Sequence, residues 1–259
     1  MKILAIIGSP RKGNTIKSVQ KIEAILSKND DVDFEYIELK DVDLKPCIGC
    51  FMCIKEGHCP LKDDKEIILA KMLESDGIIM ATPAYNFNVS GLLKNFIDRF
   101  AHLGHQPQLF NQHLMVVCTT AGTGHNEVIK YLRKYVGNLW GFQSVESIGL
   151  LTPPYKLSEK FLNKNSKLIA KKTERFYNKM KLQKRKIKFR HIEQFCSLRA
   201  IFSSEIMKDH FVTDYELYTS LRNKKFYFDA DVSPFFYKLA CLQSSLLKMI
   251  IRTTFGDDD

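Results

Sequence analysis

Five short strand-like runs, each followed by a stretch with helical spacing, constrain this chain more tightly than anything else in it. Residues 2–7, 33–39, 77–82, 114–119 and 144–150 carry the strand signals. The first is apolar from Ile3 to Ile7, as a strand covered on both faces must be. Residues 14–27 place Ile16, Val19, Ile22, Ile25 and Leu26 on one helical face, with Asn14 or Thr15 as the expected cap. Helical segments follow at about 63–74, 89–103 and 126–140, and a Lys-rich one runs from the Pro153-Pro154 break to about Met180. Such alternation builds an α/β doubly wound domain, and its five parallel strands fit the order 2-1-3-4-5.

Three of the connections have the composition of a ligand cradle. The first is Gly8-Ser9-Pro10-Arg11-Lys12-Gly13-Asn14-Thr15, between the first strand and the first helix. There the hydroxyls of Ser9 and Thr15, the Asn14 amide and the backbone N–H groups can wrap a phosphate without a metal. It lacks the Gly-Lys-Ser/Thr of a Walker loop and the spacing of a dinucleotide fingerprint. The second is Thr82-Pro83-Ala84-Tyr85-Asn86-Phe87-Asn88, whose Tyr85 and Phe87 suit the face of a flat ring and whose Asn86 and backbone suit its polar edge. The third is Thr119-Thr120-Ala121-Gly122-Thr123-Gly124-His125, where Gly122 and Gly124 permit close backbone approach. Each alone is an ordinary turn; all three share an address at the carboxyl ends of adjacent central strands. His102 and His125 are candidates for proton donors, but a His following a glycine loop is more often a surface residue or one that only supports a site from behind, and no catalytic residue is assigned.

These residues resemble the NAD(P)H-dependent FMN reductase and quinone reductase families of the flavodoxin-like superfamily. The likeness rests on residues 8–15, on Thr82-Pro83-Ala84-Tyr85-Asn86 and on the run Ser90-Gly91-Leu92-Leu93-Lys94-Asn95-Phe96-Ile97-Asp98-Arg99, and it covers about residues 1–180. It implies FMN as cofactor and NAD(P)H as substrate. Ser9, Arg11, Lys12, Gly13, Asn14 and Thr15 would then take the phosphate, and Pro83, Ala84, Tyr85, Asn86 and Phe87 would meet the ring. Thr119, Thr120, Ala121, Gly122 and Gly124 would close the third side. It also implies a homodimer or a dimer of dimers, with the flavin near the subunit boundary.

Four of the seven cysteines fall within thirteen residues, as Cys47-x2-Cys50-x2-Cys53-x5-Cys59. Repeated two-residue gaps suit ligation of one iron–sulfur cube, whereas structural zinc generally takes two separated knuckles. The spacing, its place after the second strand and Asp63-Asp64 beyond it resemble the iron–sulfur flavoproteins of the same superfamily, which implies a [4Fe–4S] cluster on Cys47, Cys50, Cys53 and Cys59. A metal-free thiol loop and a zinc site are the alternatives. Cys118, Cys196 and Cys241 lie in apolar runs and read as small buried hydrophobes.

The net charge of +10 is regional: residues 153–200 hold fifteen Lys/Arg against Glu159, Glu174 and Glu193, and the rest is about neutral. General nucleic-acid binding therefore does not follow from it. A solvated helix face, attraction of acidic partners or NADPH phosphates, and association with a membrane surface compete for this basic region. Residues 181–259 open with the basic stretch 181–190, contain no glycine before Gly256 and are dense in aromatics, and they read as a helical extension of short helices with aromatic anchors. Residues 239–251 are apolar enough for an interfacial helix but too short to span a bilayer. The apolar run after Met1-Lys2 is too short for a secretory signal, so a cytoplasmic location is expected. The expected activity passes electrons from NAD(P)H or a ferredoxin-like donor to a quinone, flavin or other small acceptor. A flavin-bearing electron carrier or redox sensor is the alternative.

Overall fold

The computed structural model describes residues 1–29, 31–182 and 187–255, with the side chains of 248, 250–252, 254 and 255 excepted. Residues 183–186 of the basic stretch 181–190, and Gly256, thus lie outside the described residues. The chain forms two compact units: Met1–Cys47, Asp63–Ala101 and Gln108–Arg185 make the first, and Ile48–Lys62, His102–Pro107 and Lys186–Asp259 the second.

The first unit is a five-stranded sheet in the order β2-β1-β3-β4-β5, every neighbouring pair parallel. Its strands are β1 (Lys2–Ile7), β2 (Asp33–Glu38), β3 (Gly77–Pro83), β4 (His113–Thr120) and β5 (Ser144–Leu151). These bounds lie within a residue of the sequence reading. The central strands β1, β3 and β4 are almost wholly buried. On one face Ile3, Ala5, Ile7, Ile79, Ala81, Met115 and Val117 pack against Ile16, Val19 and Ile22 of helix α1 (Asn14–Leu26) and Ile169, Phe176 and Tyr177 of the later helix Glu159–Met180. The alternate residues Leu4, Ile6, Ile78, Met80, Leu114 and Val116 point to the other face and are equally buried, as a doubly wound sheet requires. Each such side chain contributes about 1.5–3 kcal/mol by leaving water, which is what holds the strand ends in register.

Helix α2 (Met52–Lys55) is one turn and belongs to the second unit; α3 (Lys65–Glu74) and α4 (Gly91–Arg99) belong to the first. The helical period through residues 89–103 overruns α4, which stops at Arg99 and gives way to a 3-10 turn at Ala101–Gly104. Helix α5 (His125–Tyr131) continues as a π-type turn, Leu132–Asn138. Gly13, not Asn14 or Thr15, takes the cap position of α1, because both of those side chains are bonded to other loops. Helix α6 (Glu159–Met180) is capped by Ser158, which accepts from Phe161 N. Two of its lysines, Lys172 and Lys179, reach buried Glu146 on β5 at 3.1 and 2.5 Å. Part of the basic region is therefore structural.

The second unit contains α7 (Phe189–Phe202), α8 (Val212–Ser220) and α9 (Pro234–Phe255). The expectation of short helices fails for α9, which runs 22 residues. An aromatic cluster of Phe195, Phe202, Tyr218, Phe226 and Tyr227 forms its core. Asp214 of α8 is fully buried and accepts from Gln106 at 2.7 Å and pairs with His105 Nδ1 at 2.7 Å, fastening residues 102–107. Among the described residues no helix is long and apolar enough to cross a membrane.

Candidate functional site

The carboxyl ends of β1, β3 and β4 bring the three loops together, and hydrogen bonds of the chain itself tie each to the next. Gly8 N donates to Ala81 O at 2.7 Å, and Ser90 Oγ donates to Gly8 O, joining the first loop to the second. Buried Thr15 Oγ1 and Thr119 Oγ1 lie 2.8 Å apart, joining the first to the third. Ala84 N donates to Thr119 O at 2.7 Å, joining the second to the third. Asn14 Nδ2 adds a bond to Thr152 O beyond β5 at 3.1 Å. Gly8 is required here, since a Cβ would lie 2.7 Å from Leu93 Cβ and 3.2 Å from Ser90 Oγ.

Within the first loop, Ser9 is buried, and its hydroxyl donates to Arg11 O at 2.9 Å, which folds residues 9–13 into a tight turn. Arg11 and Lys12 stand exposed at its rim. The first-turn N–H groups of α1, with no acceptor inside the helix, emerge at the same end, so partial positive charge and two cations meet at one place. Thr15, by contrast, spends its hydroxyl on Thr119 and Asn14 its amide on Thr152: both position the loop.

The second loop turns back on itself, with Tyr85 and Asn88 exchanging backbone bonds of 2.9 and 3.0 Å. Its two central residues, Asn86 and Phe87, have φ of 47° and 62°, the left-handed region that a mirror-image hairpin turn demands. For a bulky residue such as Phe87 that conformation is costly, and it presents the ring 58% exposed beside a half-exposed Tyr85. Phe87 backs onto Gly124, whose φ of 95° favours glycine and where a Cβ would lie 3.1 Å from Phe87 Cα. In the third loop Thr120 Oγ1 donates to Thr123 O at 2.6 Å and accepts from Gly122 N at 3.2 Å, leaving Ala121 and Gly122 exposed. His125 packs its ring over Gly149 instead of facing the loops, and His102 is buried in the second unit. Beside the first loop a cleft of about 350 Å³ opens between α1 and the residues after β5, lined by Asn14, Lys17, Lys21, Thr152, Tyr155 and Lys156.

The cysteine loop is held by its ends. Arg99 of α4, itself buried, grips Asp63 with both guanidinium nitrogens, Nη2 to Oδ1 at 3.0 Å, and donates to Lys45 O at 2.6 Å. Asp63 Oδ2 accepts from Lys45 N at 3.0 Å. One turn earlier, Asn95 donates to Leu44 O at 3.0 Å and accepts from Cys47 N at 3.1 Å. Asp64 closes the neck with Asp43 through two bonds of 2.9 Å. Burial pushes the Asp63 carboxyl up, but the Arg99 hydrogen bond, the Lys45 and Lys65 amides and the Arg99 charge outweigh it, holding it below the usual range. Asn95 and Arg99 had no assigned task in the sequence. Their signal was two polar side chains four apart on the helix, a spacing that puts both on one face.

Between those anchors Cys47 and Cys50 are exposed, and Cys53, on α2, and Cys59 are half-buried. Gly49, Phe51 and Gly57 have φ of 65°, 60° and 74°, so the chain reverses repeatedly. Thr213 of α8 supports the far side, donating to Lys55 O at 3.3 Å. Among the described residues no three His, Cys, Asp or Glu side chains are gathered as a metal site. Four accessible thiols on a looped backbone nonetheless fit an iron–sulfur cluster in donor chemistry and number.

The model of the NADPH-dependent FMN reductase family matches residues 1–153. An iron–sulfur flavoprotein of Archaeoglobus fulgidus is 32% identical over 187 residues, 71% of this chain and 84% of that protein. Another, of Methanocaldococcus jannaschii, is 48% identical over 101 residues, 38% of this chain and 51% of that one. Among solved structures, an NAD(P)H:quinone oxidoreductase of Methanothermobacter marburgensis superposes with a TM-score of 0.55 at 13% identity, over 67% of this chain and 97% of that one, a likeness of fold.

Proposed function

Because the chain belongs to the NADPH-dependent FMN reductase family, on its iron–sulfur flavoprotein branch, we propose that it passes electrons from NAD(P)H, or from a ferredoxin-like donor, to a quinone, flavin or other small acceptor. The observation that carries this reading is the three-loop cradle, assembled by the chain's own hydrogen bonds at the ends of β1, β3 and β4. FMN bound there would supply the hydride and single-electron chemistry. Arg11, Lys12 and the first-turn amides of α1 balance its phosphate, while Ser9, Asn14 and Thr15 hold the loop in shape. Tyr85 and Phe87 offer exposed apolar faces to a flat ring and shield it from water; Pro83, Ala84 and Asn86, with Thr119, Thr120, Ala121, Gly122 and Gly124, line its polar edge through backbone groups. Lys17, Lys21 and Lys156 around the adjoining cleft draw the phosphates of the nicotinamide nucleotide.

Cys47, Cys50, Cys53 and Cys59 would hold a [4Fe–4S] cluster, which supplies one-electron chemistry. Arg99, Asp63 and Asn95 fix the neck of that loop whether or not it is filled. A second copy of the chain is the proposed partner. Phe235, Leu239, Leu242, Leu246 and Met249 lie exposed on α9 at alternating steps of four and three, the seam spacing of a two-stranded coiled coil.

Protein purified without oxygen should show a flavin absorption spectrum, take up FMN with quenching of its fluorescence, and oxidise NAD(P)H with a quinone. Failure to bind FMN overturns the reading. FMN binding without turnover leaves the electron carrier. Iron and acid-labile sulfide near four each per chain support the cluster, and stoichiometric zinc in their place overturns it.

A further inference from the structure

Of the cysteines read as small buried hydrophobes, Cys118 and Cys196 are buried, whereas Cys241 is half-exposed. Cys196 on α7 and Cys241 on α9 face each other with Sγ atoms 3.8 Å apart. Cys196 is buried, and burial, with Cys241 beside it, pushes its thiol up to about 12. Cys241 is half-exposed, and both line a cavity of about 340 Å³ with Arg199, Arg222, Ser244 and Ser245. Arg199 is fixed there by bonds to Lys224 O at 2.5 Å and Tyr237 Oη at 2.9 Å, and its guanidinium lies 4.8 Å over the Phe195 ring. Arg222 stands exposed at the mouth. A disulfide needs its sulfurs about 2 Å apart, so closing the pair brings the two Sγ atoms about 2 Å nearer.

We propose that Cys196 and Cys241 form a thiol–disulfide exchange centre whose substrates are small disulfides bearing carboxylates. The accessible Cys241 thiolate attacks one sulfur of the substrate; that S–S bond breaks and one substrate thiolate leaves with the proton Cys241 gave up. The Cys196 thiolate then attacks the Cys241 sulfur, and the second substrate thiolate leaves with the Cys196 proton. The protein dithiol is oxidised by two electrons and the substrate is reduced to two thiols. Buried Cys196 has the character of a resolving thiol, unreactive towards outside partners and poised for the neighbouring sulfur. The arginines supply the selectivity, since a cationic disulfide meets repulsion at the same mouth. This centre stands apart from the flavin reading and survives its failure.

The test uses the whole reduced protein, mixed with oxidised glutathione as the anionic probe or cystamine as the cationic one, and peptide mapping after alkylation of the remaining thiols. The expected product is a Cys196–Cys241 linked peptide, reversed by dithiothreitol and formed several-fold faster with oxidised glutathione. In Cys196→Ser, glutathione should persist on Cys241; in Cys241→Ser, Cys196 should stay unmodified. Exposed Arg222→Glu should remove the preference for the anionic probe. Two free thiols at 196 and 241 after excess disulfide overturn the proposal, as does modification of Cys196 in Cys241→Ser. Equal rates with both probes overturn the assigned substrate class.

Discussion

The three strand-end loops and the cysteine loop are held in different ways. In the first region Thr15 meets Thr119, Ser90 meets Gly8 and Ala84 meets Thr119, so the chain's own hydrogen bonds tie the cradle together. In the second, the side chains of Arg99, Asp63 and Asn95 fix the neck, and Thr213 supports Lys55 beyond it. A rigid sheet can build a site for an organic anion from its own hydrogen bonds. A thiolate site is closed by what it binds, because metal binding and local folding are coupled.

The sharpest way to break this contrast is to cut the neck. Arg99→Ala leaves the buried Asp63 charge unpaired and should cost about 3–5 kcal/mol in urea unfolding. It should also open the chain near residues 48–62 to limited proteolysis. If FMN affinity falls in step with loop protection, the two regions are not independent. Gly8→Ala probes the other side: its Cβ would crowd Leu93, so about 1–3 kcal/mol and most of the FMN affinity should be lost. Thiol reactivity of the cysteine loop should not change. Thr119→Val should cost about 1–3 kcal/mol by stranding the Thr15 hydroxyl, and adding Thr15→Val should cost little more, a non-additivity readable from calorimetry.

Acid tests the neck more gently. The folded-state pKa of Asp63 lies below its unfolded value, so the unfolded chain binds the proton more readily. Its stabilisation is therefore complete above the ordinary carboxylate pKa of about 4 and is lost as pH falls through the lowered value. Asp63→Asn should flatten the acid limb of stability against pH, and a limb unchanged in that variant would remove Asp63 from the account. The smallest stability effect is expected on α9: Leu242→Glu with Leu246→Glu should change unfolding by about 0.5 kcal/mol or less while abolishing the dimer in light scattering. An unaltered mass would remove the α9 seam.

Much of the first unit was legible because sheet burial writes directly into sequence. Ile3 to Ile7 had to be covered on both faces, and the loops after β1, β3 and β4 had to fall at one edge. The bonds that lock those loops were not legible. Nothing in Thr15 or Thr119 alone says that two hydroxyls 104 positions apart will meet. Asn95 and Arg99 sat inside a run quoted for its resemblance, yet their work depends on Leu44, Lys45, Cys47 and Asp63, brought close only by the fold. The second unit was least legible because it is assembled from three separated stretches, and local periodicity carries no record of such a union.

That union has a consequence for synthesis. Helix α2 packs on α8, but a ribosome adding about 5–20 residues per second must make about 150 more residues after Lys62 before α8 begins to emerge. For roughly eight to thirty seconds the stretch bearing Cys50, Cys53 and Cys59 has left the ribosome while its support has not been made. The order of manufacture thus opens a window in which these thiols are exposed to whatever metal or oxidant reaches the nascent chain.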